Sequence, residues 1–303
     1  MQTLRQDLRY GARRLIQMSG SKRTTRPLAV LLLAALLSLS ICPAVTPVGA
    51  QDVSRFFKET EGAFVLYDLK NDRYVRYNEA RCRQRFSPFS TFKIPNSLIG
   101  LDTKVITDAE YRMRWEPRKY PESTEWAEPP FVHWKQDQTL RSAIRYSVVW
   151  YYRELAKRVG AARMKKYVAA FAYGNQDISG GLASPQLFQA FWIRSSLQIS
   201  ADEQVEFLKK FYAGQLPVTA RATAIVKDIL VLEKTPTYTL SGKTGGGSLP
   251  NGKALGWFVG YVETQGNVCF FATNIEGANS LAVRDRRIEL TRQILTDLGC
   301  LSQ

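Results

Sequence analysis

Segments with strand character stand at both ends of this chain, and segments with helical character fill its middle. Near the start, Ala63 to Leu69 and Tyr74 to Asn78 flank a polar turn at Asn71-Asp72, the pattern of a hairpin. Helical spacing of apolar residues follows over Thr139 to Val159, Arg163 to Phe171, Asp202 to Ala213 and Thr219 to Leu232. Strand patterns then return at Tyr238 to Lys243, Leu255 to Glu263 and Val268 to Ile275, with a glycine run at Gly245-Gly246-Gly247 and a turn at Gln265-Gly266-Asn267. A last amphipathic helix over Ala282 to Leu298 carries Ile288, Leu290, Ile294, Leu295 and Leu298 on one side. Strands at both ends require the termini to meet in one sheet. The expectation is therefore an α+β protein with a central antiparallel sheet, terminal helices layered on it, an all-helical subdomain beside it, and a cleft between the two.

The first 50 residues have a different character. A basic stretch (Arg13, Arg14, Lys22, Arg23, Arg26) leads into an apolar run from Leu28 to Cys42, then Pro43, Pro47 and the small residues Val48-Gly49-Ala50. That order is the order of a secretory leader, with cleavage expected after Ala50 and translation starting at Met1 or Met18. The run is shorter than the roughly 20 residues of a membrane span, so no stable membrane anchor is expected. Residues 51–303 remain as one structural unit, without repeats or low-complexity tracts. An exported chain of this kind belongs in the periplasm.

The formal charge is +15, and seven Lys/Arg against one Asp in the leader leave +9 on the rest. Those charges are scattered, which describes a solvated surface rather than a nucleic-acid footprint. Three cysteines follow the leader, Cys82, Cys269 and Cys300, an odd number that leaves at least one thiol free or bonded between chains. The single histidine, His133, lies beside Trp134. One histidine excludes both a Cys/His zinc site and a histidine-based triad, and no metal is expected.

The sharpest local signal is Ser90-Thr91-Phe92-Lys93. Pro95 places a helix start close to Ser90, because proline is tolerated only near a helix N-terminus. Residues three apart share a helix face, so the lysine amine comes within reach of the serine hydroxyl. Alone the pattern is weak, since most such serines are helix caps followed by a surface lysine. A second motif changes its weight: Lys243-Thr244-Gly245 closes a strand, and its glycine admits a ligand close to the backbone. Those two elements occur together, with a Ser-Asp-Asn, in penicillin-recognising serine enzymes. Here no Ser-Asp-Asn exists; Ser147-Val148-Val149 and Tyr173-Gly174-Asn175 stand between the outer motifs.

With those motifs, and with Phe86 to Ser97, Phe191-Trp192-Ile193 and Gly256 to Gly260, the chain resembles the class D (oxacillinase-type) serine beta-lactamases over essentially all of Gln51 to Gln303. The resemblance implies the beta-lactamase/transpeptidase fold and hydrolysis of the beta-lactam amide bond through an acyl-serine. Ser90 would be the nucleophile and Lys93 the general base, carbamylated by carbon dioxide and otherwise without cofactor. Ser147 would relay a proton, and the Trp192 indole would donate to the carbamate, within an apolar wall of Phe92, Val149 and Ile193. Lys243 and Thr244 would hold the substrate carboxylate together with Arg287, though Arg284 and Arg286 are neighbouring choices. Backbone N–H groups of Ser90 and Gly246 would form the oxyanion hole beside Gly245. Glycine at 246 departs from the bulkier residue usual in the family. The expected partner is a small-molecule lactam, and the chain a monomer or homodimer. Substrate spectrum would follow loop shapes around Trp115, Trp126 and Gly246 to Lys253. A beta-lactam sensor and a D,D-peptidase of the same fold are the competing readings.

Overall fold

The computed structural model describes residues 52–122, 124–127, 131–182 and 190–301, so the leader assigned to residues 1–50 lies outside the described residues. Six strands form one antiparallel sheet in the order β2-β1-β6-β5-β4-β3: β1 (Gly62–Asp68), β2 (Arg73–Tyr77), β3 (Val231–Lys234), β4 (Tyr238–Ser248), β5 (Ala254–Thr264) and β6 (Asn267–Gly277). The N-terminal hairpin, followed by the short helix α1 (Glu79–Arg83), docks its β1 directly on β6, so the chain ends do meet as the strand order required.

Side-chain alternation sorts the sheet into two faces. Phe64 and Leu66 of β1, Phe258 and Val262 of β5, and Phe271 and Ile275 of β6 point to one side. There they pack under Phe57 and the terminal helix α9 (Arg286–Asp297), through Leu290, Ile294 and Leu295. A disulfide between Cys269 on β6 and Cys300 just beyond α9 ties that helix to the sheet. Ala63, Val65, Trp257, Val259, Tyr261 and Phe270 point to the other side, against α6 (Ala201–Tyr212) and the helical region. That region comprises α2 (Lys93–Asp102), α3 (Leu140–Arg145), α4 (Val149–Val159), α5 (Ala161–Ala170) and α7 (Ala220–Ile229), with α2 packed on α4, α5 and α7. The layered α+β arrangement with a helical subdomain is therefore the fold. No helix among the described residues is long and apolar enough to cross a membrane.

Four element boundaries differ from the sequence expectation, and three of them shape the cleft. The helix expected over Thr139 to Val159 is two helices, broken where Ser147 adopts φ +57°. Periodicity survives such a break because only three residues leave the helical register. The last helix likewise divides, into α8 (Ser280–Arg284) and α9. Val231 and Leu232, expected to end a helix, instead form the edge strand β3 beside β4, since two adjacent apolar residues satisfy either period. Finally, β4 does not stop at Lys243; it stays paired with β5 through the glycine run to Ser248, because an antiparallel ladder needs only backbone groups.

Candidate active site

Ser90 lies in a single 3-10 turn, Phe89–Phe92, which passes directly into α2 at Lys93. The residue before it, Phe89, is held at φ +50°, so strained backbone flanks the serine on one side and recurs at Ser147 across the cleft. Pro95 sits in the first turn of α2, where its missing N–H costs nothing. One helical turn separates Ser90 from Lys93, and Lys93 Nζ lies 2.7 Å from Ser90 Oγ.

The break at Ser147 completes the contact. Lys93 Nζ also lies 3.0 Å from the Ser147 carbonyl oxygen and 3.1 Å from Ser147 Oγ. A neutral amine has two hydrogens to donate and one lone pair, and a carbonyl can only accept. One N–H is thus spent on the Ser147 carbonyl, and the lone pair is available to accept from a hydroxyl. An ammonium would also fill the three contacts, so geometry alone leaves the proton open. Burial favours the neutral amine: Lys93 is 1% exposed. Desolvation, with the charge of Lys243 adding to it, holds the amine well below the usual lysine range. No carboxylate pairs with it among the described residues.

Strand β4 forms the opposite wall. A Cβ at Gly245 would stand 2.8 Å from the Pro88 carbonyl oxygen and 3.1 Å from the Thr91 nitrogen, so only glycine lets the strand lie against the serine turn. At Gly246 a Cβ would meet Arg287 Nη1 at 2.8 Å. Arg287, from α9, lies across the strand there and donates to the Gly245 carbonyl oxygen. The guanidinium thus lies directly against the position where the family usually carries a bulkier residue. Burial lowers Arg287 to about 10, and burial beside Arg287 lowers Lys243 to about 7. Lys243 donates to the Thr244 carbonyl oxygen at 3.0 Å and sits in the wall behind Thr244. It also borders a second hollow with Arg141 and Arg145, and its charge reaches Lys93.

That cavity, about 270 Å³, brings together Ser90, Ser147, Val149, Ile193, Thr244, Gly245, Gly246 and Arg287. Arg284 is also at its rim, whereas Arg286 pairs with Glu289. Trp192 is buried, stacked at 5.6 Å on Phe92, and its indole N–H meets no acceptor among the described residues.

A chain with this fold and site matches the penicillin binding protein transpeptidase domain over residues 61–296. It is 40% identical over 235 residues to a probable beta-lactamase, YbxI, of Bacillus subtilis, covering 78% of this chain and 82% of that one. The class D beta-lactamase YbxI structure from Nostoc superposes with a TM-score of 0.73 at 38% identity, covering 82% of this chain and 99% of that one. The chain belongs to the class D serine beta-lactamases. A more distant match is the Staphylococcus aureus methicillin resistance protein mecR1, 36% identical over 243 residues, of whose length this chain spans 39%.

Within this class D site, several lining residues carry no sequence signal of their own. Phe131, Trp134, Ser280 and Leu281 border the cavity, and Leu281 is 72% exposed at its mouth. They arrive from a 3-10 turn, Phe131–Trp134, and from the short helix α8, where no periodicity marks them. Phe89 was legible only as the neighbour of Ser90. Tyr173 and Asn175 stay outside the cavity: Tyr173 packs edge-on against Phe92, and Asn175 donates to the Ser196 carbonyl oxygen at 2.8 Å.

Proposed function

We propose that this chain hydrolyses the amide bond of penicillin-type beta-lactams through an acyl-Ser90 intermediate, with Lys93 as general base in both halves of the cycle. The contact between the buried, unpaired Lys93 amine and Ser90 Oγ carries this reading. A serine hydroxyl attacks a carbonyl only when a base removes its proton, and the Nζ lone pair is placed to do so. Ser147 Oγ, on the same nitrogen, is positioned to pass the proton toward the lactam nitrogen as it leaves. The Ser90 and Gly246 N–H groups are the donors we assign to the developing oxyanion, with Thr244, Lys243 and Arg287 drawing the substrate carboxylate along β4.

Residues around Lys93 suit a carbamate. The amine is buried and driven toward its neutral form, which is the form that adds carbon dioxide. Trp192 offers an indole N–H with no other acceptor among the described residues. Such a group would supply an anionic base able to activate water for deacylation, which a protonated lysine cannot do. Export to the periplasm behind a leader ending at Ala50 completes the proposal; the Cys269–Cys300 disulfide suits an oxidising compartment.

Nitrocefin turnover with and without added bicarbonate, in the wild type and in Lys93→Ala, tests the reading. Steady turnover raised by bicarbonate and abolished in the variant is expected. A single stoichiometric burst would mark a sensor that keeps its acyl group, and no reaction of any kind would reject both.

A further inference from the structure

On the far side of the Phe89 ring lies another hollow, of about 670 Å³. Phe89 lines both this hollow and the serine cavity, and its ring fills the space above Gly247. Beside that ring a polar contact crosses from one lip to the other: Arg194 Nη2 donates to Ser248 Oγ at 3.0 Å. Arg194 follows Ile193 and Ser248 follows Gly247, and both of those preceding residues line the serine cavity. The contact therefore stands where the two spaces adjoin.

Arg194 is placed firmly. Its backbone is at φ +51°, and its N–H donates to Ser87 Oγ at 3.2 Å, which itself donates to the Trp192 carbonyl oxygen at 3.1 Å. The guanidinium, by contrast, is exposed to solvent and free of any carboxylate among the described residues. The other charged groups lining the hollow are compensated. Arg85 grips Glu203 through Nε and Nη2, and Glu276 pairs with Arg81 at 2.7 Å and Lys253 at 3.7 Å. One cation without a counter-charge among the described residues thus borders a hollow that shares the Phe89 ring with the serine cavity.

We propose that this hollow receives the acyl side chain of the substrate, and that Arg194 selects side chains bearing a carboxylate. The proposal deepens the hydrolytic reading and rests on it. A carboxylate on the side chain would replace the Ser248 hydroxyl on Arg194, exchanging a neutral acceptor for a charged one. Because the guanidinium is exposed, the gain is modest, about fivefold in kcat/KM.

Benzylpenicillin and carbenicillin, which differ by one side-chain carboxylate, provide the test in the wild type and in Arg194→Ala, Arg194→Lys and Arg194→Glu. The carbenicillin-to-benzylpenicillin ratio of kcat/KM should fall about fivefold in Arg194→Ala, fall further in Arg194→Glu and recover in part in Arg194→Lys. Benzylpenicillin turnover should hold within about twofold throughout, and added salt should lower the wild-type ratio toward that of Arg194→Ala. A flat ratio with intact benzylpenicillin turnover overturns the role of Arg194 alone. So does a ratio that moves only because benzylpenicillin turnover collapses. Failure of the wild type to hydrolyse either penicillin overturns the hydrolytic reading, and this proposal with it.

Discussion

The two faces of the sheet solve different problems. Under α9 the buried set is mainly apolar, from Phe57 and Phe64 to Phe271 and Leu295, with Thr291 hydrogen-bonded to Thr273, and it is closed by the Cys269–Cys300 bond. On the helical side, the core around α2 contains Lys93, Asn96, Ser97 and Arg153, all nearly inaccessible to water. Burying such groups costs free energy unless hydrogen bonds repay it, so the second face is the more expensive one to fold. Its cost coincides with its chemistry: Phe89 and Ser147 hold strained backbone, and Lys93 has its amine held toward the neutral form. One face holds the molecule together, while the other stores the unfavourable terms that make a base out of a lysine.

That contrast breaks if removing a group from the reactive face affects folding first. Ser147→Ala should lower kcat by about 10²- to 10⁴-fold while leaving the unfolding midpoint close to wild type. Ser147→Gly should be equally inactive yet more stable, since glycine relieves the φ +57° backbone by up to about 1 kcal/mol. Stopped-flow kinetics and thermal melts on both variants give the two readouts.

The opposite face gives the converse expectation. Replacing Cys269 and Cys300 by serine opens a crosslink that spans 31 residues of sequence and should cost about 2–4 kcal/mol of stability. Turnover at 25 °C should stay unchanged, because no cavity residue touches that bond; denaturant titration beside a rate assay checks the pair.

Lys243 sharpens the comparison with a smaller effect of distinctive sign. Burial lowers its pKa from 10.5 to about 7, so between those values the unfolded chain binds one more proton than the folded one. Stability attributable to this group therefore rises with pH across that window. Lys243→Met should be more stable than wild type by about 1–2 kcal/mol at neutral pH and below, with the gain shrinking as pH climbs toward 10.5. The same variant should raise KM for carboxylate-bearing lactams. Urea titrations at pH 6, 8 and 10 would show the trend.

Much of this was legible beforehand. The strand–helix–strand order dictated a sheet joining the two ends, and four ordered motifs pointed to Ser90, Lys93, Ser147 and Lys243. What escaped was local backbone geometry. The three-residue break at Ser147 leaves helical periodicity intact on both sides, and β4 runs on through glycines that carry no side-chain pattern. The approach of Arg287 to Gly246 also lay out of reach, since Arg287 crosses from a helix some 40 residues later. Contacts of that kind have no period to read.

The central claim concerns the Lys93 amine, and carbon-13 NMR of the protein in labelled bicarbonate tests it most directly. The account predicts a carbamate carbonyl resonance that is absent in Lys93→Ala and that weakens together with nitrocefin turnover when bicarbonate is removed. Undiminished turnover by wild-type protein showing no such resonance would contradict it.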